Sequence, residues 1–133
     1  MSDQQSKKTI LVVEDDADSR SALCAILEAL GYQPLAFGLA KEALAGIPGK
    51  KIDLALLDIM MPEMDGYELL REMKKLPEFQ ELPVIMVTAR DEDGDVLEGY
   101  RYGADYYICK PFTAKQLEKG IALYLSDEEE ASS

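Results

Sequence analysis

The amino-acid sequence predicts an α/β fold in which a five-stranded parallel sheet is doubly wound, with a helix after each strand. Two observations predict this fold class. First, short apolar segments alternate along the chain with segments whose apolar residues recur at helical spacing. Second, several of the apolar segments are hydrophobic almost throughout, as expected for strands that are buried on both faces. We therefore expect a (βα)5 architecture with helices on both faces of the sheet.

The first half of the chain is predicted to contain three strands and two helices. Thr9–Glu14 is short and apolar, which indicates a buried central strand. Apolar residues recur at helical spacing in Ala17–Leu30, and Gly31 follows where a helix commonly ends in the left-handed conformation. Gln33–Phe37 is less apolar and is predicted to be a strand nearer the edge of the sheet. The remaining elements are a helix at Leu39–Ile47 and an apolar strand at Leu54–Asp58.

The second half of the chain continues the alternation and ends in an acidic segment. Its predicted elements are a helix at Gly66–Lys75, a strand at Val84–Thr88, a helix at Asp91–Tyr102, a strand at Tyr106–Cys109 and a helix at Thr113–Leu125. The fourth helix is intrinsically weak because it contains Gly94 and Gly99. Thr113 is suited to cap the last helix. We expect a single domain at residues 9–125, with disordered tails at 1–8 and 126–133.

The charge of the chain argues against direct binding to nucleic acid. The formal net charge is −12, from 26 acidic and 14 basic residues. Such an excess repels phosphate backbones, which are normally bound by clustered Lys and Arg. The sequence contains no histidine, so histidine-based catalysis and histidine metal ligation are excluded. A phosphohistidine, if the function involves one, must belong to a partner protein.

The cysteines and the apolar segments indicate a cytoplasmic protein. Cys24 and Cys109 lie in apolar segments and match no metal-ligand or Cys-x-x-Cys spacing, so we expect buried thiols in a reducing compartment. No apolar segment approaches the roughly 20 residues that span a bilayer. The polar residues 1–8 lack the apolar stretch of a signal peptide. The expected location is the cytoplasm, without membrane association.

Polar side chains stand at or just after the carboxyl ends of four predicted strands. They are Glu14, Asp15 and Asp16 at the first strand, Asp58 at the third, Thr88 at the fourth and Lys110 at the fifth. The carboxyl ends of parallel strands meet at one edge of a sheet, where ligands bind, so these residues should converge. Carboxylates brought together repel one another, and a bound Mg²⁺, Mn²⁺ or Ca²⁺ relieves that repulsion. A lysine and a hydroxyl beside such a cation match the needs of a transferring phosphoryl group.

Four motifs of this chain resemble those of response-regulator receiver domains, the CheY-like superfamily of two-component signalling. The motifs are ILVVEDD (Ile10–Asp16), LLDIMMPEMDG (Leu56–Gly66), VIMVTA (Val84–Ala89) and GADYYICKPF (Gly103–Phe112). The resemblance extends from Thr9 to Leu125, and the motifs occur in the order and spacing of the family. It implies a flavodoxin-like sheet with the strand order 2-1-3-4-5.

The resemblance also implies roles for individual residues. Asp58 is the expected phosphoacceptor, and Lys110 and Thr88 are expected to contact the phosphoryl group. Mg²⁺, for which Mn²⁺ can substitute, is the expected cofactor. Its expected ligands are Glu14, which holds the waters of the metal, and Asp15, Asp58 and the backbone carbonyl of Met60.

Three further assignments concern residues next to these. The expected switch residues are Thr88 and Tyr107, and only the resemblance selects Tyr107 over Tyr106, since alternation places the two on opposite faces of a strand. Asp16 falls just past the acidic pair, so we expect it to be solvated or to cap the following helix. Family members have a cis peptide bond before the proline that corresponds to Pro111.

The expected function is a signalling switch that is activated by phosphorylation. A sensor histidine kinase or a histidine phosphotransfer protein would donate the phosphoryl group to Asp58 with Mg²⁺, and the chain would catalyse only its own phosphorylation and dephosphorylation. The signal would leave by protein contact through the face formed by the fourth helix, the fifth strand and the fifth helix. We expect a monomer before phosphorylation, because receivers of winged-helix transcription factors usually carry a basic residue where Gly120 stands.

Two other classes of function are less compatible with the residues. A Mg²⁺-dependent aspartyl-phosphate phosphatase needs an acid two residues past its nucleophile, where this chain has Met60. An interaction module that binds partners without phosphorylation would usually have lost an acid, the phosphoacceptor or the lysine, and this chain keeps all of them. A stand-alone regulator and a receiver that is part of a longer chain both remain open, as do the kinase and the downstream target.

Overall fold

The computed structural model describes residues 7–89 and 103–125, which form a parallel sheet with helices on both sides. The strands are β1 (Thr9–Val13), β2 (Gln33–Phe37), β3 (Leu54–Asp58), β4 (Val84–Ala89) and β5 (Tyr106–Lys110). The helices are α1 (Ala17–Ala29), α2 (Ala40–Gly46), α3 (Gly66–Lys74), a short 3-10 helix (Pro77–Phe79) and the C-terminal helix (Ala114–Leu125). The fourth helix predicted at Asp91–Tyr102 and most of both predicted tails, residues 1–6 and 126–133, lie outside the described residues.

The sheet has the order β2-β1-β3-β4-β5, and every neighbouring pair is parallel. The predicted fold class and strand order are therefore confirmed. All five residues of β3 are buried, as its nearly unbroken apolar sequence predicts, whereas β2 lies at one edge and is partly exposed. No helix in the described part of the chain is long and apolar enough to cross a membrane.

Strand alternation divides the buried residues between two cores, one on each face of the sheet. Leu11, Val13, Leu57 and Met86 face α2, α3 and the 3-10 helix. Their neighbours along the strands face α1 and the C-terminal helix on the other side; these include Ile10, Val12, Leu56 and Val87. The segments whose apolar residues recur at helical spacing cover both faces, as predicted.

Side-chain caps fix where α1, α3 and the C-terminal helix begin. The carboxylate of Asp16 accepts a hydrogen bond from the backbone N–H of Ser19 at 2.8 Å and so caps α1. Asp65 and Glu68 form a reciprocal capping box at the start of α3. The Thr113 hydroxyl accepts from the backbone N–H of Gln116 at 3.0 Å, as predicted for the last helix. At the end of α1, Gly31 adopts a φ of 95°, in the left-handed region.

The expectation of two buried thiols is wrong for Cys109. Cys24 is only partly buried in α1, where burial raises the pKa of its thiol. Cys109 is exposed. It lies in β5, the edge strand, one residue past Ile108, which is buried against α1 and the C-terminal helix. Alternation turns Cys109 away from that core, so an apolar neighbourhood in sequence does not bury this side chain.

Substituting Gly66 by alanine should destabilise the fold, because β3 approaches α3 closely at this position. A methyl group on Gly66 would overlap the backbone carbonyl oxygen of Asp58 and lie 3.0 Å from Cα of Ile59. Backbone atoms cannot move aside by a change of rotamer, so we expect Gly66→Ala to lose about 1–3 kcal/mol or more of unfolding free energy in urea titrations.

Gly120→Ala is the matched control for that measurement. Its added methyl would meet only side-chain atoms, Cδ1 of Ile108 at 3.1 Å and Cε2 of Tyr106 at 3.3 Å. These atoms can give way, and alanine is favoured over glycine within a helix by about 1 kcal/mol. Equal losses for the two variants would contradict the close approach at Gly66.

Candidate functional site

Side chains from three of the five strand ends meet at the carboxyl edge of the sheet. Glu14 follows β1, Asp58 ends β3 and Lys110 ends β5. Glu14 and Asp58 are 1% and 6% exposed, which is unusual for carboxylates. The sequence predicted this convergence from the fold class, and the structure confirms that these three side chains lie together.

Lys110 pairs with both buried acids. Its Nζ donates a hydrogen bond to Oε1 of Glu14 at 2.9 Å and lies 3.7 Å from Oδ1 of Asp58. The lysine is therefore shared by two carboxylates and lies closer to Glu14 than to Asp58.

The shared lysine leaves excess negative charge on the carboxylates. Burial, followed by the negative charge of Glu14, raises the pKa of Asp58 to about 7, although the charge of Lys110 acts in the opposite direction. Burial disfavours the charged form of Lys110, but its hydrogen bond to Glu14 and the charge of Asp58 outweigh burial and raise the pKa of the lysine. The ammonium group therefore stays charged at neutral pH, and Asp58 ionises only with difficulty.

The acidic residues have the composition and spacing of a hard-cation site. Glu14, Asp15 and Asp58 each offer a carboxylate oxygen, and these oxygens all lie within 4.8 Å of one another. Asp15 is exposed to solvent, whereas the other two are buried. An all-oxygen set without Cys or His favours Mg²⁺ or a similar ion. A cation would also relieve the repulsion that raises the pKa of Asp58, so these residues fit the predicted metal.

Backbone contacts fix Glu14 and separate Asp16 from the metal-binding group. Asp16 caps α1, as one of its two expected roles, and its own N–H donates to Oε2 of Glu14 at 3.1 Å. The Nη1 of Arg20 donates to the backbone carbonyl of Glu14 at 2.8 Å. The sequence did not predict this contact, because Arg20 occupies a position in α1 that suits an ordinary solvated charge. The contact depends on how α1 packs beside β1, which only the structure shows.

The two expected switch residues lie on the opposite face of the sheet from the site acids. Thr88 is 3% exposed and follows Met86 by two residues, so it belongs to the α3 face. Tyr107 is paired with Met86 across the β4–β5 ladder and packs against the same core. Tyr106 is more exposed and lies against the C-terminal helix at Gly120. The structure thus places Tyr107, and not Tyr106, on the face of Thr88.

The side chain of Met60 contributes little packing. It is 57% exposed, whereas Met61 and Met64 pack against the core beside α3. An exposed side chain at position 60 is compatible with a role carried by its backbone carbonyl alone.

An open cleft of about 500 Å³ lies beside the site. One wall is α1 and the other is the segment after β5. Its lining is mainly apolar and reaches Glu14 and Lys110; the apolar residues are Ala22, Leu23, Ile26, Pro111 and Phe112. The peptide bond between Lys110 and Pro111 is cis, as the resemblance implied.

The sequence matches one protein family over most of its length. The family profile of the response regulator receiver domain matches residues 10–122. The phosphate regulon transcriptional regulatory protein PhoB of Pseudomonas aeruginosa is 41% identical over 110 residues, which are 83% of this chain and 48% of PhoB. A protein of Porphyridium aerugineum named "Probable transcriptional regulator ycf27" is 38% identical over 127 residues, 96% of this chain and 52% of that protein.

Solved structures show the same likeness. A CheY-like response regulator receiver domain protein from Methanospirillum hungatei has a TM-score of 0.84 and 35% identity, with 94% of this chain and 98% of that chain covered. The receiver domain of a Pseudomonas aeruginosa sensor histidine kinase, which has a magnesium ion coordinated in its active site cleft, has a TM-score of 0.83 and 27% identity, with 90% and 98% covered.

The chain belongs to the response regulator receiver domain family. The resemblance seen in the four motifs is therefore confirmed. Proteins of this family take part in signalling, and phosphorylation is the family's general means of switching. The chain spans about half the length of the curated relatives it matches.

The raised pKa of Asp58 predicts how stability changes with pH. The folded protein holds the Asp58 proton up to a pH of about 7, whereas an unfolded chain loses it at about pH 4. The stability that this group contributes is present below about pH 4 and is lost as the pH rises through 7. In EDTA at pH 8, Asp58→Asn should therefore raise the unfolding free energy, by roughly 1–3 kcal/mol after allowance for solvent screening.

The measurement is urea unfolding of both proteins from pH 4 to pH 8. The difference between Asp58→Asn and wild type should grow across this range. Asp16→Asn is the matched control, because Asp16 is an exposed cap whose pKa is lowered by the hydrogen bonds from Ser19, and asparagine can cap as well. If the difference in unfolding free energy between Asp58→Asn and wild type did not change with pH, the pKa of Asp58 would not be raised in the folded protein.

Proposed function

We propose that this chain is a phosphorylation-activated switch that accepts a phosphoryl group on Asp58. The observation that carries the proposal is the meeting of Glu14, Asp58 and Lys110 at one edge of the sheet, with Asp15 close enough to complete an acidic group. Family membership supports the same function, since the phosphorylation switch is the family's general role.

In the proposed reaction, an oxygen of the ionised Asp58 attacks the phosphorus of a phosphohistidine on a partner. The P–N bond breaks, the electron pair returns to the imidazole, and an acyl phosphate forms on Asp58. Lys110 would hold one of the phosphoryl oxygens by its positive charge. The Thr88 hydroxyl would donate a hydrogen bond to another. Hydrolysis of the acyl phosphate by water would reset the switch. Both steps would take place on Asp58 of the chain itself, so the chain would not be an enzyme with a separate substrate.

Mg²⁺ would be held by Glu14, Asp15, Asp58 and the backbone carbonyl of Met60, with Mn²⁺ as a substitute. When bound, the ion neutralises charge on the phosphoryl oxygens. A bound cation would also change the ionisation of the carboxylates themselves. Because the pKa of Asp58 is raised to about 7, a nearby cation would favour the ionised form that acts as the nucleophile.

The proposed donor is a sensor histidine kinase or a histidine phosphotransfer protein. The chain has no histidine, so the phosphohistidine must come from elsewhere. The mainly apolar cleft between α1 and Pro111–Phe112 supports docking of a partner beside Glu14 and Lys110. Protein partners of this kind also suit a cytoplasmic location.

The proposed output is protein contact through the side of the domain that contains β5 and the C-terminal helix. Tyr106 and Leu123 are exposed large apolar side chains there, and Leu123 is 64% exposed. The third member of this face, the predicted fourth helix, lies outside the described residues. The net charge of −12 supports output to a protein and not directly to nucleic acid.

Two further expectations belong to this proposal. The unphosphorylated protein is expected to be a monomer, because Gly120 replaces the usual basic residue of receivers that dimerise in winged-helix regulators. The domain is proposed to occupy residues 9–125, with the acidic segment 126–133 as a tail.

Incubation with acetyl phosphate and Mg²⁺ should add one phosphoryl group to the protein. Acetyl phosphate is a small donor, so no partner has to be identified first. Intact-mass spectrometry measures the gain. Asp58→Asn should gain nothing, and Asp16→Asn, the same chemical change at an exposed cap, should gain as much as wild type. If wild type gains nothing, a module that binds partners without phosphorylation becomes the better reading.

Asp15→Asn should weaken Mg²⁺ binding by about tenfold or more, because affinity of such sites depends on the number of charged oxygen ligands. Titration calorimetry measures the affinity directly. Asp18→Asn in the first turn of α1 is the control, since it changes the net charge equally but lies outside the acidic group. Equal affinities for the two variants would exclude Asp15 as a ligand.

A further inference from the structure

A hydrogen bond between two tyrosine hydroxyls links α3 to β5. The hydroxyl oxygens of Tyr67 and Tyr107 lie 3.1 Å apart. Tyr67 is the second residue of α3 and is a buried member of the core on that face. Tyr107 packs against the same core from β5. The bond therefore joins a side chain fixed in the core to the expected switch side chain.

The position of this bond defines the orientation of Tyr107. β4 lies between β3 and β5 in the sheet, and Tyr107 is paired with Met86 of β4. α3 follows β3, so a Tyr107 hydroxyl that reaches Tyr67 extends inward across β4 and not outward from the sheet edge. Thr88 lies on this same face, two residues beyond Met86. Tyr107 and Thr88 therefore lie on the same face of two neighbouring strands, two residues apart in register.

We propose that Tyr67 is a positioning residue that holds Tyr107 in this core-facing orientation and thereby favours the phosphorylated form of the domain. The proposal rests on the function proposed above, with Thr88 and Tyr107 as the switch residues, and it assigns the inward-facing Tyr107 to the phosphorylated form. A contact that is stronger in the form adopted on phosphorylation must raise the affinity for the phosphoryl group by the same factor.

The expected effect is modest, because one hydrogen bond is involved. A bond of this kind corresponds to about two- to tenfold in an equilibrium constant. Phenylalanine at position 67 would keep the buried ring and remove only the hydroxyl. The variant Tyr67→Phe therefore tests the bond without opening a cavity in the core of α3.

The test uses the full chain and beryllofluoride, a phosphoryl analogue that binds an ionised aspartate together with Mg²⁺. Tyr67→Phe should bind beryllofluoride about two- to tenfold more weakly than wild type. Without beryllofluoride, the ring signals of Tyr107 in a ¹³C-tyrosine NMR spectrum should shift in Tyr67→Phe. A purely structural role for Tyr67 would lower the melting temperature but leave the affinity for beryllofluoride unchanged.

Two further variants make the test specific. Tyr124→Phe removes a different tyrosine hydrogen bond, the one that its hydroxyl donates to the backbone carbonyl of Asp105 at 2.9 Å. It should leave beryllofluoride binding unchanged. In a Tyr107→Phe background, Tyr67→Phe should have no further effect, because the bond between the two hydroxyls is already absent.

Each outcome separates this proposal from the one on which it rests. If wild type binds beryllofluoride and Tyr67→Phe binds it equally well or more tightly, Tyr67 does not favour the phosphorylated form. If wild type does not bind beryllofluoride, the function proposed for Asp58 is wrong, and the switch role of Tyr67 is lost with it. If Tyr67→Phe weakens binding equally in the Tyr107→Phe background, the hydroxyl acts by another contact.

Discussion

The crowding of two buried carboxylates around one lysine is the constraint on which the rest of the site depends. Glu14 and Asp58 both depend on Lys110 for a positive charge, at 2.9 Å and 3.7 Å. Buried charges are stable only when each has a partner, and one ammonium group cannot fully neutralise two acids. Burial and the remaining negative charge raise the pKa of Asp58, and a bound cation would relieve that repulsion.

The fold produces this crowding and also divides the functional residues between two faces. By strand alternation, the side chains that meet at the site belong to the face of α1 and the C-terminal helix; they are Glu14, Asp58 and Lys110. Thr88 and Tyr107 belong to the alternate positions, which face α3. In the proposed switch, the phosphoryl group would be received between these two sets at the sheet edge. The response at Tyr107 would then develop in the core beside α3 and not in the cleft where a donor approaches.

The meeting of three polar side chains at the sheet edge could be predicted from the sequence because it depends on topology. Apolar strands that end in acids, with helices between them, determine that Glu14, Asp58 and Lys110 meet. Contacts that depend on side-chain conformation could not be predicted in this way. The preference of Lys110 for Glu14 and the hydrogen bond between the hydroxyls of Tyr67 and Tyr107 are of this second kind. Hydrophobic periodicity gives the face of a residue but not its partner.

The exposed thiol shows that apolar neighbours in sequence do not determine the burial of a side chain. Cys109 has apolar neighbours in sequence, but strand alternation turns it away from the core that buries Ile108. The transcriptional regulators that match this chain share only about half their length with it. The chain itself has a net charge of −12, which opposes contact with phosphate backbones. In the proposed switch, a domain of this charge would therefore pass its signal to another protein surface and not directly to nucleic acid.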